Sequence, residues 1–260
     1  MSRVLITGAA GSVGSVLSRE LPSYGHQVRL LDREPIDAPG DVVIADITDP
    51  AALDAALAGM DAVVHLAAIP TEAAFDDILR VNLDGTYQVF EAARRGGVRR
   101  VVYASSNHAV GFTPRAPLVG AEVPPRPDTN YGLSKVFGEA LGRLYTDRYG
   151  LEVACLRIGT FAERPARPRH LSTWLSHGDA VRLVHAALTA PDLTYSVVYG
   201  ISANTRRWWD LDPGRALGYH PADDAEAYAA SVIAEYGEPD LTQRTEAYLG
   251  GEFTGPEFDT

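Results

Sequence analysis

The chain is nearly without cysteine, with Cys155 the single one in 260 residues. One thiol cannot close an internal disulfide, so a reduced, cytoplasmic setting is expected. Positive charge is also short: 23 Lys and Arg stand against 34 Asp and Glu, a net charge of −11. Such a surface repels phosphate backbones and anionic lipid, so neither nucleic acid nor membrane is an expected partner, although one basic pocket can sit within an acidic field. No apolar run is long enough to span a bilayer. The chain enters a strand-like run at once, with no basic segment and apolar core of a signal peptide ahead of it. His and Cys are too scattered for a zinc site, so no metal is expected. Repeats and low-complexity tracts are lacking too. What remains is ordinary: 46% hydrophobic and 22% charged residues, enough for one large α/β domain or a domain with an appendage.

Within that frame, strand and helix alternate. Val4-Leu5-Ile6 reads as a buried strand, followed by Gly8, Gly11 and Gly14, which open a helical pattern through Val16, Leu17 and Leu21. Glycines between a strand and a helix suit a backbone that must approach a pyrophosphate, whose charge then faces the helix N-terminus. Val28-Arg29-Leu30-Leu31 forms a second strand ending in Asp32, an acid able to accept both ribose hydroxyls of an adenosine. It would repel a 2′-phosphate, which favours NAD over NADP, with Arg33 next door pulling the other way. Val42 to Ala45 is a third strand with Asp46-Ile47 at its end, where an adenine can rest. Asp49-Pro50 starts a helix through Leu53 and Leu57. Ala62 to Ala68 is a fourth strand and its exit, and His65 within it reads as a satisfied core histidine. Phe75 to Arg95 has helical periodicity, interrupted around Asn82 and Gly85. Val101 to Ser106 and Val153 to Ile158 are the fifth and sixth strands. Six alternations predict a doubly wound parallel sheet of Rossmann type, covered on both faces, with ligands beyond the carboxyl ends of its strands.

Tyr131 and Lys135 are four apart and so share one helix face. A phenol titrates near pH ~10, and a neighbouring ammonium lowers that toward a useful base. The same spacing also suits a tyrosine on the core and a solvated lysine. Beyond residue 159 the pattern loosens. Arg164, Arg167, Arg169 and His170, broken by Pro165 and Pro168, make a basic loop directly after the sixth strand. Any of the three arginines can clamp a carboxylate bidentately. A helix is expected from Asp179 to Ala190, another from Pro221 through about Tyr236, and then a polar tail. The expected organisation is a single domain over 1–260. Residues 1–159 form the dinucleotide-binding core, and 160–260 form a small substrate-binding portion with the C-terminal elements.

Together, Thr7-Gly8-x-x-Gly11-x-x-Gly14, His65-Leu66-Ala67-Ala68, Asn82-x-x-Gly85-Thr86, Ser105-Ser106 and Tyr131-x-x-x-Lys135 resemble the extended short-chain dehydrogenase/reductase superfamily. Ser105-Ser106-Asn107-His108, Arg157-Ile158-Gly159, Leu171-Ser172-Thr173-Trp174 with Ser176-His177, Ser202-Ala203-Asn204 and Trp208-Trp209-Asp210 narrow the resemblance to the uronate dehydrogenase family, over almost the full chain. That resemblance implies NAD-dependent oxidation of the anomeric carbon of a cyclic hexuronic acid to an aldarolactone, by a homo-oligomer. It implies Tyr131 as base, Lys135 as the group that lowers its pKa and holds the nicotinamide ribose, and Ser106 as hydrogen-bond partner of the reacting oxygen. Asn107, His108, Thr160 and Arg169 would contact the sugar. Gly8, Gly11, Ser12, Val13, Gly14, Asp32, Arg33, Asp46, Ile47, Leu66, Ala67, Ala68, Asn82 and Ile158 would join Tyr131 and Lys135 around NAD. Two departures touch the sugar pocket: Thr160 where the family commonly has serine, and Ile69-Pro70 where it has a serine after the fourth strand.

Two other classes share these motifs. A nucleotide-sugar epimerase or dehydratase uses the same Tyr/Lys pair, but the part after residue 159 is short for enclosing a nucleotide diphosphate. A dinucleotide sensor need not keep Ser106, Tyr131 and Lys135 at all. Net NADH separates the three, because a dehydrogenase accumulates it, an epimerase recycles it and a sensor makes none.

Overall fold

The computed structural model describes residues 2–258. The first half runs β1 (Arg3–Thr7), α1 (Ser12–Glu20), β2 (Gln27–Asp32), β3 (Asp41–Ile44), α2 (Pro50–Leu57) and β4 (Ala62–His65). It continues through α3 (Phe75–Asp77), α4 (Gly85–Arg95), β5 (Arg100–Ser106), α5 (Asn130–Tyr149) and β6 (Glu152–Ile158). The second half has β7 (Thr160–Phe161), α6 (His170–Thr173), β8 (Trp174–Leu175), α7 (His177–Thr189), β9 (Tyr195–Gly200), α8 (Asp212–Ala216), α9 (Ala229–Tyr236) and α10 (Arg244–Ala247).

Seven strands pair in parallel in the order β3-β2-β1-β4-β5-β6-β9. The two-residue period of a strand divides its side chains between the faces. In β1, Val4 and Ile6 enter the apolar layer under α1 and α7, while Leu5 enters the layer under α2 and α4. All three are fully buried, which is why this strand reads as an unbroken apolar run. The chain leaves β1 for β2 on one side and returns to β4 on the other. That reversal opens a crevice at the carboxyl ends of the strands. Caps fix the helices bordering it. Asp49 accepts from the backbone of Ala51 and Ala52, at 3.0 and 3.1 Å, to start α2. Thr129 accepts from the Gly132 N–H at 3.0 Å to start α5, a cap that contributes about 1 kcal/mol.

The six expected strands are present, and a seventh, β9, joins them at β6. The sheet therefore continues through the boundary drawn at residue 159. The interruption expected around Asn82 is not a break: Ile78–Asp84 widens into π-helical turns and the chain runs on into α4. Asn82 is turned inward there, and a Cβ at Gly85 would lie 2.6 Å from Ile47. The helix expected from Pro221 begins only with a tight turn at Ala225–Tyr228, followed by α9. Ahead of it, the Ala222 and Asp223 N–H groups are drawn off by the buried Asp179 carboxylate, at 2.8 and 3.0 Å.

After β6 the chain builds a small annexe. β7 and β8 pair, and Trp174, Leu171, Ala225, Ala229 and Val232 form a separate apolar cluster. A C-terminal strap then crosses back to the exit of β5. Arg115 N–H donates to the Ala247 carbonyl (2.8 Å), Leu249 N–H to Thr113 (3.0 Å) and Gly250 N–H to Gly111 (2.9 Å).

Candidate active site

The crevice holds a cavity of about 870 Å³. Its floor is the glycine loop. Gly8 has φ +74°, and a Cβ there would lie 2.7 Å from the Ala67 nitrogen; a Cβ at Gly14 would collide with the Gly8 carbonyl. The loop is thus pressed against the β4 exit, and the N-terminus of α1 opens into the space. Gly8, Gly11, Ser12, Val13, Gly14, Asp32, Arg33, Asp46, Ile47, Leu66, Ala67, Ala68 and Ile158 all line it. Each Asp32 oxygen accepts one backbone N–H, from Ala10 at 2.9 Å and from Glu34 at 3.0 Å, which fixes the carboxylate with lone pairs to spare. Arg33 is 3.5 Å from the Glu34 carboxylate, so its charge already has a partner. Asp46 accepts from the backbone and hydroxyl of Thr48, both at 2.9 Å, and the backbone bond foremost holds its carboxyl below the usual range.

Asn82 is not in this wall. Its amide accepts from Ile69 N–H at 2.8 Å and donates to the Ile69 carbonyl and the Ser134 hydroxyl, at 3.0 and 3.1 Å. It acts from behind, fixing Ile69, which does line the cavity. His65 is the expected core histidine. It lies between the hydroxyls of Thr7 and Thr86, at 2.8 and 3.1 Å, and burial pushes it down to about 3, so it is neutral.

Ser106, Tyr131 and Lys135 stand at the inner end of the same cavity. Tyr131 is in the first turn of α5 and Lys135 is one turn on. The lysine donates to the Ala104 carbonyl at 2.9 Å, and its nitrogen is 5.3 Å from the Tyr131 ring centre. Burial lowers the ammonium to about 8. The expected low phenol is not found in this state. Burial raises Tyr131 to about 12, with the Asp128 carboxylate acting in the same sense and the Ser106 hydrogen bond in the opposite one, because desolvation dominates.

A second cavity, about 540 Å³, meets the first at Gly159. Asn107, His108, Thr160 and Arg169 line it. Asn107 donates to the Leu249 carbonyl at 3.0 Å, and Thr160 shares a hydrogen bond with Thr173 at 2.8 Å. The Arg169 guanidinium donates to the Leu249 and Thr245 carbonyls and lies 5.1 Å from the Trp208 ring centre. Burial lowers it to about 10, with Glu246 opposing, so it is a cation at neutral pH. Arg167 reaches this cavity from the rim, 4.8 Å from the Tyr236 ring centre, and Arg164 does not line it. No group of three or more metal-ligating side chains occurs among the described residues.

Three contributors escaped the sequence reading. Glu72 accepts from the Tyr131 N–H and the Asn130 amide, both at 2.8 Å, and so tethers the start of α5. Asp128 binds His108 at 2.7 Å. Phe253 stacks on His108 with centroids 4.1 Å apart. Only Asp128 had a local signal, an Asp-Thr pair just ahead of a helix start, and that signal predicts a cap.

A model described as the NAD dependent epimerase/dehydratase family matches residues 4–177. A uronate dehydrogenase from Agrobacterium fabrum is 43% identical, covering 97% of this chain and 97% of that one. An NAD-dependent glucose-6-phosphate dehydrogenase from Haloferax volcanii is 40% identical over 86% of this chain and 95% of its own. The crystal structure of uronate dehydrogenase from Agrobacterium tumefaciens, as a tyrosine-to-alanine mutant complexed with NAD, superposes with a TM-score of 0.93 at 42% identity, covering 99% of both chains. The chain belongs to the NAD dependent epimerase/dehydratase family, in the branch that holds the uronate dehydrogenases.

Proposed function

We propose that this chain oxidises the anomeric carbon of a cyclic hexuronic acid, glucuronate or galacturonate, to the aldarolactone, with NAD as hydride acceptor. One observation carries the reading. Tyr131, Lys135 and Ser106 line a glycine-floored cavity with Asp32 at its wall, and that cavity meets, at Gly159, a second one lined by the half-buried Arg169. The first cavity suits NAD, since a Cβ at Gly8 or Gly14 would fill the cradle and Asp32 keeps lone pairs for ribose hydroxyls. NAD when bound supplies the carbon that takes up the hydride.

The residues of the chain would then divide the work. Gly8, Gly11, Ser12, Val13 and Gly14 hold the pyrophosphate, Asp32 the adenosine ribose, and Asp46 and Ile47 the adenine edge. Leu66, Ala67, Ala68 and Ile158 wall the nicotinamide side. Arg169 takes the uronate carboxylate, and Asn107, His108 and Thr160 the ring hydroxyls. Tyr131 as phenolate takes the proton of the C1 hydroxyl while the hydride leaves C1, and the C1–O bond becomes the lactone carbonyl. Its phenol must come down from about 12 to do so. Ser106 acts in that direction, and the Lys135 ammonium, 5.3 Å from the ring centre, favours the phenolate in the same sense. Residues 1–159 form the dinucleotide-binding core, which also lends Ser106, Asn107 and His108 to the sugar, and 160–260 complete the substrate pocket, in a cytoplasmic homo-oligomer whose subunit number light scattering would count.

The test is net NADH, followed by absorbance, over a panel of glucuronate, galacturonate, glucose, arabinose and glucose 6-phosphate. Uronates should give the highest catalytic efficiency. Preference for a neutral aldose or the sugar phosphate, which the Haloferax volcanii relative at 40% identity makes the second reading, would overturn the uronate assignment and leave the dehydrogenase intact. No net NADH on any sugar would favour the epimerase or sensor readings.

A further inference from the structure

The imidazole beside Tyr131 has little freedom. His108 is stacked on Phe253 at 4.1 Å and 26°, and meets the Tyr131 ring edge-on at 5.7 Å and 65°. Its backbone N–H donates to the Ser106 hydroxyl at 3.3 Å. With the ring clamped, the variable that remains is which nitrogen bears the proton. Nδ1 lies 2.7 Å from an oxygen of Asp128.

The surroundings of that carboxylate have the form of a built socket. The side chain of Asp128 is wholly buried. A Cβ at Gly111 or at Gly250 would collide with the oxygen that binds His108, and one at Gly132 would lie 2.8 Å from the other oxygen. These glycines come from three separate segments: the turn after β5, the first turn of α5 and the C-terminal strap. The second oxygen also accepts the Thr129 hydroxyl at 3.1 Å.

We infer that Asp128 is a positioning residue for the sugar: it holds the His108 proton on Nδ1, so that Nε2 meets the substrate as an acceptor for a ring hydroxyl. A carboxylate only accepts hydrogen bonds, so the shared proton belongs to the imidazole. The opposite nitrogen then bears the lone pair, on a side chain that lines the second cavity. Arg169 offers donors only and the Asn107 amide donates to Leu249, so a ring hydroxyl beside them finds its acceptor in Nε2 or in the carboxylates of Glu246 and Glu252 that line the same cavity. The inference rests on the dehydrogenase reading for its kinetic arm alone.

Two measurements test it on the full chain. Long-range proton–nitrogen correlation on ¹⁵N-histidine protein, with His108 identified through His108→Gln, reads the tautomer directly. The parent should be protonated on Nδ1, and Asp128→Asn should shift the proton toward Nε2. In the same variant KM for the sugar should rise about tenfold, as for loss of one hydrogen bond to a charged group's partner, with kcat changed less and NAD affinity unchanged. In a His108→Ala background, Asp128→Asn should add nothing further to KM, since its effect passes through the imidazole. A parent protonated on Nε2 would overturn the inference. So would a variant whose tautomer moves without KM, or whose KM moves without the tautomer, or whose effect persists without His108. If Asn at 128 prevents folding, the parent tautomer decides alone. If no uronate yields NADH, the dehydrogenase reading of uronates fails separately, and KM is read on whichever sugar does.

Discussion

The two cavities that meet at Gly159 are made in different ways. The dinucleotide side is assembled from short runs of consecutive residues at the ends of successive strands, most of them set by the local chain. The sugar side is assembled from afar. Asn107 reaches Leu249 across 142 residues, and Arg169 reaches Leu249 across 80. The first can tolerate change in the annexe, while the second depends on the annexe, the β5 exit and the strap all being in register.

The largest expected effect falls on the seam. Tyr131→Phe removes the proposed base and keeps the ring, so turnover should fall by roughly 10²–10⁴-fold with NAD affinity unmoved, measured by steady-state kinetics and NAD titration. Near-normal turnover would shift the base to His108. Next comes a change confined to the sugar side. Arg169→Ala should cost roughly ten- to a hundredfold in kcat/KM on uronates, the worth of a charge-assisted contact, and narrow the gap to neutral aldoses. Lysine there should restore only part, lacking the planar fork. Should Arg169→Ala also weaken NAD binding, the two sides are not separable. If it keeps the uronate preference, Arg167 on the rim becomes the clamp.

A third substitution belongs to the dinucleotide side alone. The parent should favour NAD over NADP by roughly tenfold or more, because the Asp32 carboxylate faces the 2′-phosphate and Arg33 is already paired with Glu34. Asp32→Ala should erase that preference without moving KM for the sugar. The remaining effect is on stability and leaves both sites' specificities untouched. The Lys135 ammonium is depressed from 10.5 to about 8 in the fold, so between those values the unfolded chain binds more protons and stability rises with pH. From about pH 10 the raised Tyr131 phenol reverses the trend, since there the folded chain holds the extra proton. Denaturant melts of the parent against Lys135→Met should show the rise from pH 8 only in the parent.

The same contrast governs what could be read without coordinates. The glycine loop, Asp32 and the six first strands were legible because each depends on a few consecutive residues. So were the Tyr131–Lys135 pair and the core role of His65. Asn82 was assigned to the cofactor wall, yet its amide serves Ile69 and Ser134, contacts 13 and 52 residues away that no local pattern encodes. β9 was not read as a strand, although its run through Val197, Val198 and Tyr199 directly follows α7. Asp128 and Glu72 escaped because their partners are remote: His108 lies 20 residues from Asp128, and Asn130 and Tyr131 lie 58 and 59 from Glu72. The lowered phenol was expected from spacing alone, whereas burial of the ring decides it.

The crossing of the strap over the β5 exit has a consequence for how the molecule is made. A chain emerging from the ribosome has all seven strands of its sheet once residue 200 is out, since β9 is the last to pair. The Leu249 carbonyl, which both Asn107 and Arg169 seek, emerges some fifty residues later. The nucleotide crevice thus precedes the sugar site in time. A nascent chain stalled between those points, or a mature one clipped ahead of Leu249, would retain nucleotide binding with Asn107 and the Arg169 guanidinium left without their shared anchor.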